Sequence, residues 1–157
     1  MEPSQDLVVV QISGKAFGLA TSVVSEVLPM VEPTPMPGWS ANALGFINVR
    51  GEIIPLVDIA PVIGLPSSPV SRSQFIVLLS ALRRKWGVIV DQVEGVRNAQ
   101  VLQNKGLAPL EVVDASDLCL GLAVEPTGPV VVLDPEGIIR RIKLPWGEAE
   151  SSRSVSE

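Results

Sequence analysis

Scattered acidic side chains are the first candidates for chemistry in this chain of 157 residues. Two carboxylates held close together can act as acid and nucleophile, as in a glycosidase. The acids expected at strand ends or in loops are Asp58, Asp91, Glu94, Asp114, Asp117 and Asp134. Carboxylates at such positions commonly cap helices and close turns. With no other catalytic grouping in the sequence, we interpret these acids as structural.

The residue types that support most other catalysis are missing. The sequence has no histidine and no tyrosine, and its one cysteine, Cys119, lies between two leucines. A nucleophilic cysteine needs a basic partner, and a zinc site needs several thiolates or imidazoles. No phosphate-binding glycine motif occurs. We therefore expect no enzyme, no cofactor and no metal. A small-molecule enzyme built on a β-barrel stays open, and it would need a deep polar pocket with two or more acids.

Charge and hydropathy narrow the possible partners. Twelve basic and seventeen acidic residues give a net charge of -5, which disfavours nucleic acid and anionic lipid. No apolar run approaches the roughly 20 residues of a membrane-spanning helix. The first residues lack the basic and apolar regions of a signal peptide. We expect a cytoplasmic protein without membrane insertion.

Short β-strands are predicted along most of the chain. β-branched residues alternate with polar ones, and turns rich in Gly and Pro recur at intervals of about ten residues. The prediction is a hairpin over 7–20 and strands over 44–49, 52–58, 75–80, 86–90, 95–102, 118–124 and 130–133. This spacing favours a mainly β fold of two small barrels that share one core, with strands grouped before and after a loop at 63–74.

Two short helices complete the prediction. The first spans about 21–28, because Val23 and Val27 are spaced i, i+4 and Pro29 would end it. The second spans about 135–143, with Asp134 as N-cap and Pro135 at the first helical position.

Basic residues stand at two predicted hairpin turns. Arg50 is at the apex of a hairpin otherwise made of apolar residues, and Arg83, Arg84 and Lys85 form the turn of another. Such residues are usually solvated. For the triplet a weak electrostatic docking role stays open.

The sequence around Arg50 resembles a known signature. Residues 45–59 read GFINVRGEIIPLVDI, which is similar to the pattern G-x-x-N-L-R-G-x-x-x-P-[VIL]-[VI]-D-L of the CheW family of bacterial chemotaxis coupling proteins. Residues 23–27 resemble that family's V-x-E-[IV] segment, and residues 86–93 its G-[IVL]-x-V-D-x-V segment. The resemblance covers about residues 5–143.

The resemblance implies a fold and a function. The fold would be two five-stranded SH3-like barrels packed on each other within residues 5–145, followed by a disordered tail over 146–157. The function would be that of a cytoplasmic adaptor, recruited to receptor arrays, that couples the tips of chemoreceptors to the regulatory domain of a CheA-type histidine kinase. An accessory adaptor that binds receptor but not kinase is the alternative.

The resemblance also implies a receptor-binding set. Glu26, Val27, Arg50 and Ile54 match motif positions, while Phe75 and Val93 lie in segments expected to line the same groove. Gly51, Pro55 and Asp58 are interpreted as backbone residues of the fold. We expect the Arg50 guanidinium to reach carboxylates or helix-end carbonyls of the partner.

The polar tail yields a first prediction. Removing the chain from Glu148 onward should change the melting temperature by no more than about a degree or two, because so polar a segment buries little apolar surface. Thermal unfolding of the truncated and full chains measures this. A larger loss would mean that Trp146 and the tail pack on the barrels.

Overall fold

Ten strands and one helix form the part of the chain that the computed structural model describes, namely residues 4–37, 42–67, 69–81, 83–103, 118–126 and 128–142. The elements are β1 (Ser4–Ile12), β2 (Lys15–Ala20), β3 (Val24–Pro29), β4 (Ala43–Val49), β5 (Glu52–Val57), β6 (Phe75–Ala81), β7 (Arg84–Val90), β8 (Gln92–Gln103), β9 (Cys119–Glu125), β10 (Gly128–Leu133) and α1 (Pro135–Arg141). The predicted mainly β fold is confirmed.

Five of the strands close into a barrel in the order β1-β2-β10-β9-β8. β1 pairs antiparallel with both β2 and β8, and a short parallel contact between β10 and β2 completes the ring. The N-terminal hairpin thus shares a barrel with the last three strands. The predicted grouping around the 63–74 loop is wrong, because strands from before and after that loop occur in both sheets.

The remaining strands form the second sheet, in the order β3-β6-β7-β5-β4. Continuous ladders do not close it, so the prediction of two barrels is confirmed for one sheet and corrected for the other. One edge strand, β4, is bridged to the segment that follows β3, where the amides of Thr34 and Phe46 donate to each other's carbonyls at 2.8 and 2.9 Å. Side-chain contacts in the small core inside this sheet bring residues of the two edge strands together.

The segment predicted as a helix at 21–28 is instead a turn followed by β3. The amide of Val23 donates to Ala20 and that of Val24 to Thr21, which makes a tight turn. β3 then pairs with β6 from Val24 to Pro29. Two turns of helix are marginal alone, and valine favours strands, so pairing with β6 decides the conformation.

The barrel and the second sheet share one apolar core, as predicted. Alternate residues of β1 and of β6 point into this core, and Trp86 of β7 is fully buried within it. The other faces of the same strands line two smaller cores, one inside the barrel and one inside the second sheet. The indole N–H of Trp86 has no acceptor among the described residues.

Local signals at the predicted turns and at the C-terminal helix are confirmed. The Asp134 carboxylate accepts from the Glu136 amide, Pro135 begins α1, and α1 ends at Arg141. Pro55 pairs with β4 alone, because the ladder from β5 to β7 begins at Leu56. No helix occurs among the described residues of 63–74. Residues 104–117 and the tail over 146–157 lie outside the described residues.

Gly45 allows the second test, because it lies against the bridge between Thr34 and Phe46. Its φ is +137°, and a Cβ there would lie 2.2 Å from the Thr34 carbonyl oxygen. We expect Gly45→Ala to destabilise the fold by about 3–5 kcal/mol. Denaturant unfolding measures this value.

Gly14 is the matched control for this substitution. Its φ is +80°, and a Cβ there would meet nothing within 4 Å. Gly14→Ala should therefore cost only the backbone strain, about 1–2 kcal/mol. Equal losses in the two variants would show that the bridge does not constrain the sheet.

Candidate functional site

The turn between β4 and β5 presents Arg50 at one end of the second sheet. Arg50 and Gly51 have φ values of 51° and 88°, the two positive angles of a type I′ hairpin turn. The Asn48 side chain accepts a hydrogen bond of 2.8 Å from the Gly51 amide. Asn48 thereby fixes the turn and offsets the unusual backbone of a non-glycine residue at Arg50.

Arg50 does not extend freely into solvent but pairs with Glu26 of β3. Its Nη2 lies 2.6 Å from Oε1 and its Nη1 lies 3.2 Å from Oε2, a two-pronged pair. The Arg50 side chain is 72% exposed and that of Glu26 is 33% exposed. Glu26 and Arg50, which the motifs suggested separately, therefore form one ion pair between β3 and the turn that joins β4 to β5.

This pair shifts the ionisation of both groups. The hydrogen bond from Arg50 lowers the pKa of Glu26 below its ordinary 4.5, and the charges of Arg50 and Lys85 act in the same direction against a desolvation effect. The hydrogen bond to Glu26 likewise raises the pKa of Arg50. Both groups are ionised at neutral pH.

A second ion pair lies at the same end of the sheet. Lys85 Nζ of β7 is 3.3 Å from Oε1 of Glu52, the first residue of β5. The alternation of side chains along the strands places Glu26, Glu52 and Lys85 on the face of the small core inside the second sheet. We call Glu26, Arg50, Glu52 and Lys85 the charged rim.

Val27 and Phe75 belong to the opposite face. Val27 pairs with Val77, and Phe75 pairs with Val90, both of which lie in the shared core. Val27 is 39% exposed and Phe75 is 37% exposed. Both side chains are thus accessible at the margin of the face that packs on the barrel.

The last two predicted residues are less accessible. Ile54, named as a receptor-binding position, is 1% exposed in the small core of the second sheet, so in this structure its side chain faces that core and not a partner. Its neighbour Ile53 is 59% exposed and was missed, because one position of register reverses the side-chain direction. Val93 lies on β8 of the barrel, half-buried against the shared core.

A narrow cleft between the barrel and the second sheet contains two of the acids, Asp58 and Asp91. Asp91 accepts from the Ser13 amide at 2.8 Å and from the Gln74 side chain at 3.2 Å. Asp58 accepts from the Ala60 amide at 3.1 Å, which is the predicted turn-closing role. The cleft encloses about 40 Å³, far less than the roughly 300 Å³ of a small ligand pocket. It is therefore not the deep polar pocket that an enzyme would need.

Cys119 is also used structurally. The side chain is 4% exposed, and its thiol donates to the Gly121 carbonyl at 3.2 Å. Burial raises the pKa of this thiol, which disfavours the reactive thiolate. The described residues contain no cluster of three or more potential metal ligands. In the same part of the chain, no helix is long and apolar enough to span a bilayer.

The sequence matches one protein-family model and several characterised proteins. The model of the CheW-like domain matches residues 6–143. The probable chemotaxis protein CheW of Rhizobium etli is 31% identical over 94 residues, which are 59% of either chain. Protein PilI of Pseudomonas aeruginosa is 30% identical over 102 residues, or 64% of this chain and 57% of PilI. The chain thus matches less than two thirds of the length of these relatives.

The fold is also found in a solved structure. The crystal structure of the scaffolding protein TtCheW from Thermoanaerobacter tengcongensis aligns with a TM-score of 0.75 at 24% sequence identity. The alignment covers 85% of this chain and 90% of that protein.

The third prediction uses the lowered pKa of Glu26. In the unfolded chain Glu26 binds its proton near the ordinary value, so the ion pair stabilises the fold fully above about pH 4.5. This stabilisation is lost as the pH falls through the lower pKa of the folded state. Glu26→Gln should therefore lower the melting temperature slightly at neutral pH, and this difference should shrink in acid, as Glu26 of the parent takes up its proton.

Glu32→Gln is the control, because Glu32 is an exposed carboxylate without an ion pair in the described structure. Its melting temperature should follow that of the parent at neutral pH and in acid. A Glu26→Gln difference that persists unchanged in acid would contradict the ion-pair explanation.

Proposed function

Because the chain belongs to the CheW-like family, we propose that it is a chemotaxis-type scaffold that couples a chemoreceptor tip to the regulatory domain of a CheA-type histidine kinase. The match over residues 6–143 supports this proposal. So do the names of the relatives, which are chemotaxis proteins and a scaffolding protein. The protein works by binding and not by catalysis, in a cytoplasmic array.

The Arg50–Glu26 pair is the observation that carries the receptor-binding part of this proposal. The pair is exposed between β3 and the turn that joins β4 to β5, and Glu26 holds the guanidinium in one orientation before a partner binds. Less side-chain freedom is then lost on binding. Arg50 has five N–H donors and uses two of them for Glu26, so others remain for a carboxylate or a carbonyl of the partner.

Apolar contact with the partner comes from the other face of β3. Val27 follows Glu26 directly but points the opposite way, toward the side where Phe75 is exposed. A partner that touches both Arg50 and Val27 must therefore lie along the edge of β3. A receptor tip, which is a helical hairpin, presents apolar and polar side chains on adjoining sides and fits this edge.

The fourth prediction concerns Arg50. We expect Arg50→Ala to fold like the parent, since an exposed ion pair adds little to stability, yet to bind a receptor-tip fragment roughly tenfold or more weakly. Arg50→Lys should recover only part of the affinity, because an ammonium group lacks the two-pronged geometry. Thermal unfolding and calorimetric titration with the fragment measure the two effects.

Arg83→Ala is the matched control, because Arg83 is also an exposed arginine with positive φ in a hairpin turn of the second sheet. It should bind like the parent. If Arg50→Ala melts several degrees lower, Arg50 is a structural residue. If it binds receptor like the parent, Arg50 is only a solvated turn residue.

The accessory-adaptor alternative is separated by testing each partner alone. Immobilised receptor-tip fragment and immobilised kinase regulatory domain should both retain the protein if it couples the two. Retention by the receptor fragment only would favour an accessory adaptor.

A further inference from the structure

Glu52 stands close to Arg50 but is paired elsewhere. It follows Arg50 by two residues and lies on the same rim, and its negative charge contributes to the raised pKa of Arg50. Glu52 is thus a second carboxylate whose charge acts on the guanidinium. In the structure, however, Arg50 pairs with Glu26, while Glu52 pairs with Lys85 at 3.3 Å.

We propose that Lys85 is a positioning residue for the binding site, because it occupies Glu52 and so leaves Arg50 to Glu26. This inference rests on the proposed function only for what Arg50 does once it is positioned. The partner chemistry remains a carboxylate or carbonyl at the end of the second sheet. Lys85 itself contributes no contact to that partner.

The geometry explains why the competition matters. Glu52 is close to Arg50 along the chain, so a pair between them needs little ordering of the backbone. Glu26 is on another strand, at the far edge of the second sheet. If Glu52 loses Lys85, its carboxylate attracts the guanidinium toward β5 and away from β3. Arg50 then no longer lies beside the exposed apolar residues at the edge of β3.

Side-chain direction supports the role of Lys85 over that of its basic neighbours. In the ladder between β6 and β7, Lys85 lies opposite Ser80, and its side chain is on the face of the small core inside the second sheet, which is also the face of Glu52. Arg84 lies opposite Ala81 in the same ladder, and its side chain points to the other face of the sheet. Of the turn triplet singled out in the sequence, the residue placed to hold Glu52 is thus Lys85.

The test first removes the charge of Lys85 and then the charge of Glu52. Lys85→Met keeps the length of the side chain and removes its charge, while Glu52→Gln removes the competing charge. The charge of Lys85 itself lowers the pKa of Glu26, so the informative comparison is between two variants that both lack this charge. In NMR titration of the free protein, we expect the pKa of Glu26 to be higher in Lys85→Met than in the double variant Lys85→Met/Glu52→Gln, in which Glu26 keeps Arg50. Binding of a receptor-tip fragment should weaken at least about threefold.

The double variant Lys85→Met/Glu52→Gln decides between positioning and direct contact. It should recover binding to within about twofold of the parent, because nothing then competes with Glu26 for Arg50. Glu52→Gln alone should bind like the parent. Melting temperatures of all three variants confirm that each is folded.

Three outcomes would overturn the inference. The first is binding of Lys85→Met equal to that of the parent. The second is a double variant that binds as poorly as Lys85→Met, which would make Lys85 a direct contact. A Glu26 pKa no higher in Lys85→Met than in the double variant would also exclude the exchange of partners. If the parent does not bind the fragment, the proposed function fails, and the Glu26 titration still decides whether Lys85 positions the pair.

Discussion

Apolar packing between the barrel and the second sheet is the constraint on which the other features depend. Strands β1 and β6 are buried on both faces, so each side chain in them has a fixed direction. A shift of one residue in the register of either strand would turn the side chains of the shared core toward the small cores, and those of the small cores toward the shared core. The positions of Glu26 and Val27 at the sheet edge follow from this register, because β3 is aligned by its ladder to β6.

The charged rim has two effects at the end of the second sheet. It joins three strands that no continuous ladder connects at that end, and it surrounds a small apolar core with groups that stay hydrated. Each ion pair is exposed, so its contribution to stability is modest. Its effect on side-chain orientation is larger, since a carboxylate held by one cation is not available to the other cation. The rim therefore determines orientation more than it determines stability.

Local signals in the sequence predicted what local interactions decide. The glycine turn after Arg50, the turn closed by Asp58 and the cap at Asp134 all depend on residues within a few positions. The i, i+4 spacing of Val23 and Val27 predicts a helix over about 21–28. Pairing with β6, about fifty residues away, makes the segment from Val24 a strand instead.

The candidate site was predicted in part for the same reason. The family resemblance named Glu26 and Arg50, but no spacing rule shows that they pair across the edges of a sheet. Ile54 was named and is buried, whereas its neighbour Ile53 is exposed, because a motif fixes positions along the chain and not the face of a strand. The basic triplet that contains Lys85 was visible in the sequence, but its pairing with Glu52 carried no signal, since this contact joins strands separated by a long loop.

The connectivity of the barrel has a consequence for the order of folding. All strands of the second sheet come from one continuous stretch, Val24–Val90, whereas the barrel must join β1 and β2 to strands that begin at Gln92 and end at Leu133. Closing such a distant contact is slow, and synthesis delivers the final strands last. The second sheet can therefore form before the barrel closes. Until β10 has been synthesised, β1 and β2 are the barrel strands available to cover the apolar face that the second sheet turns toward the shared core.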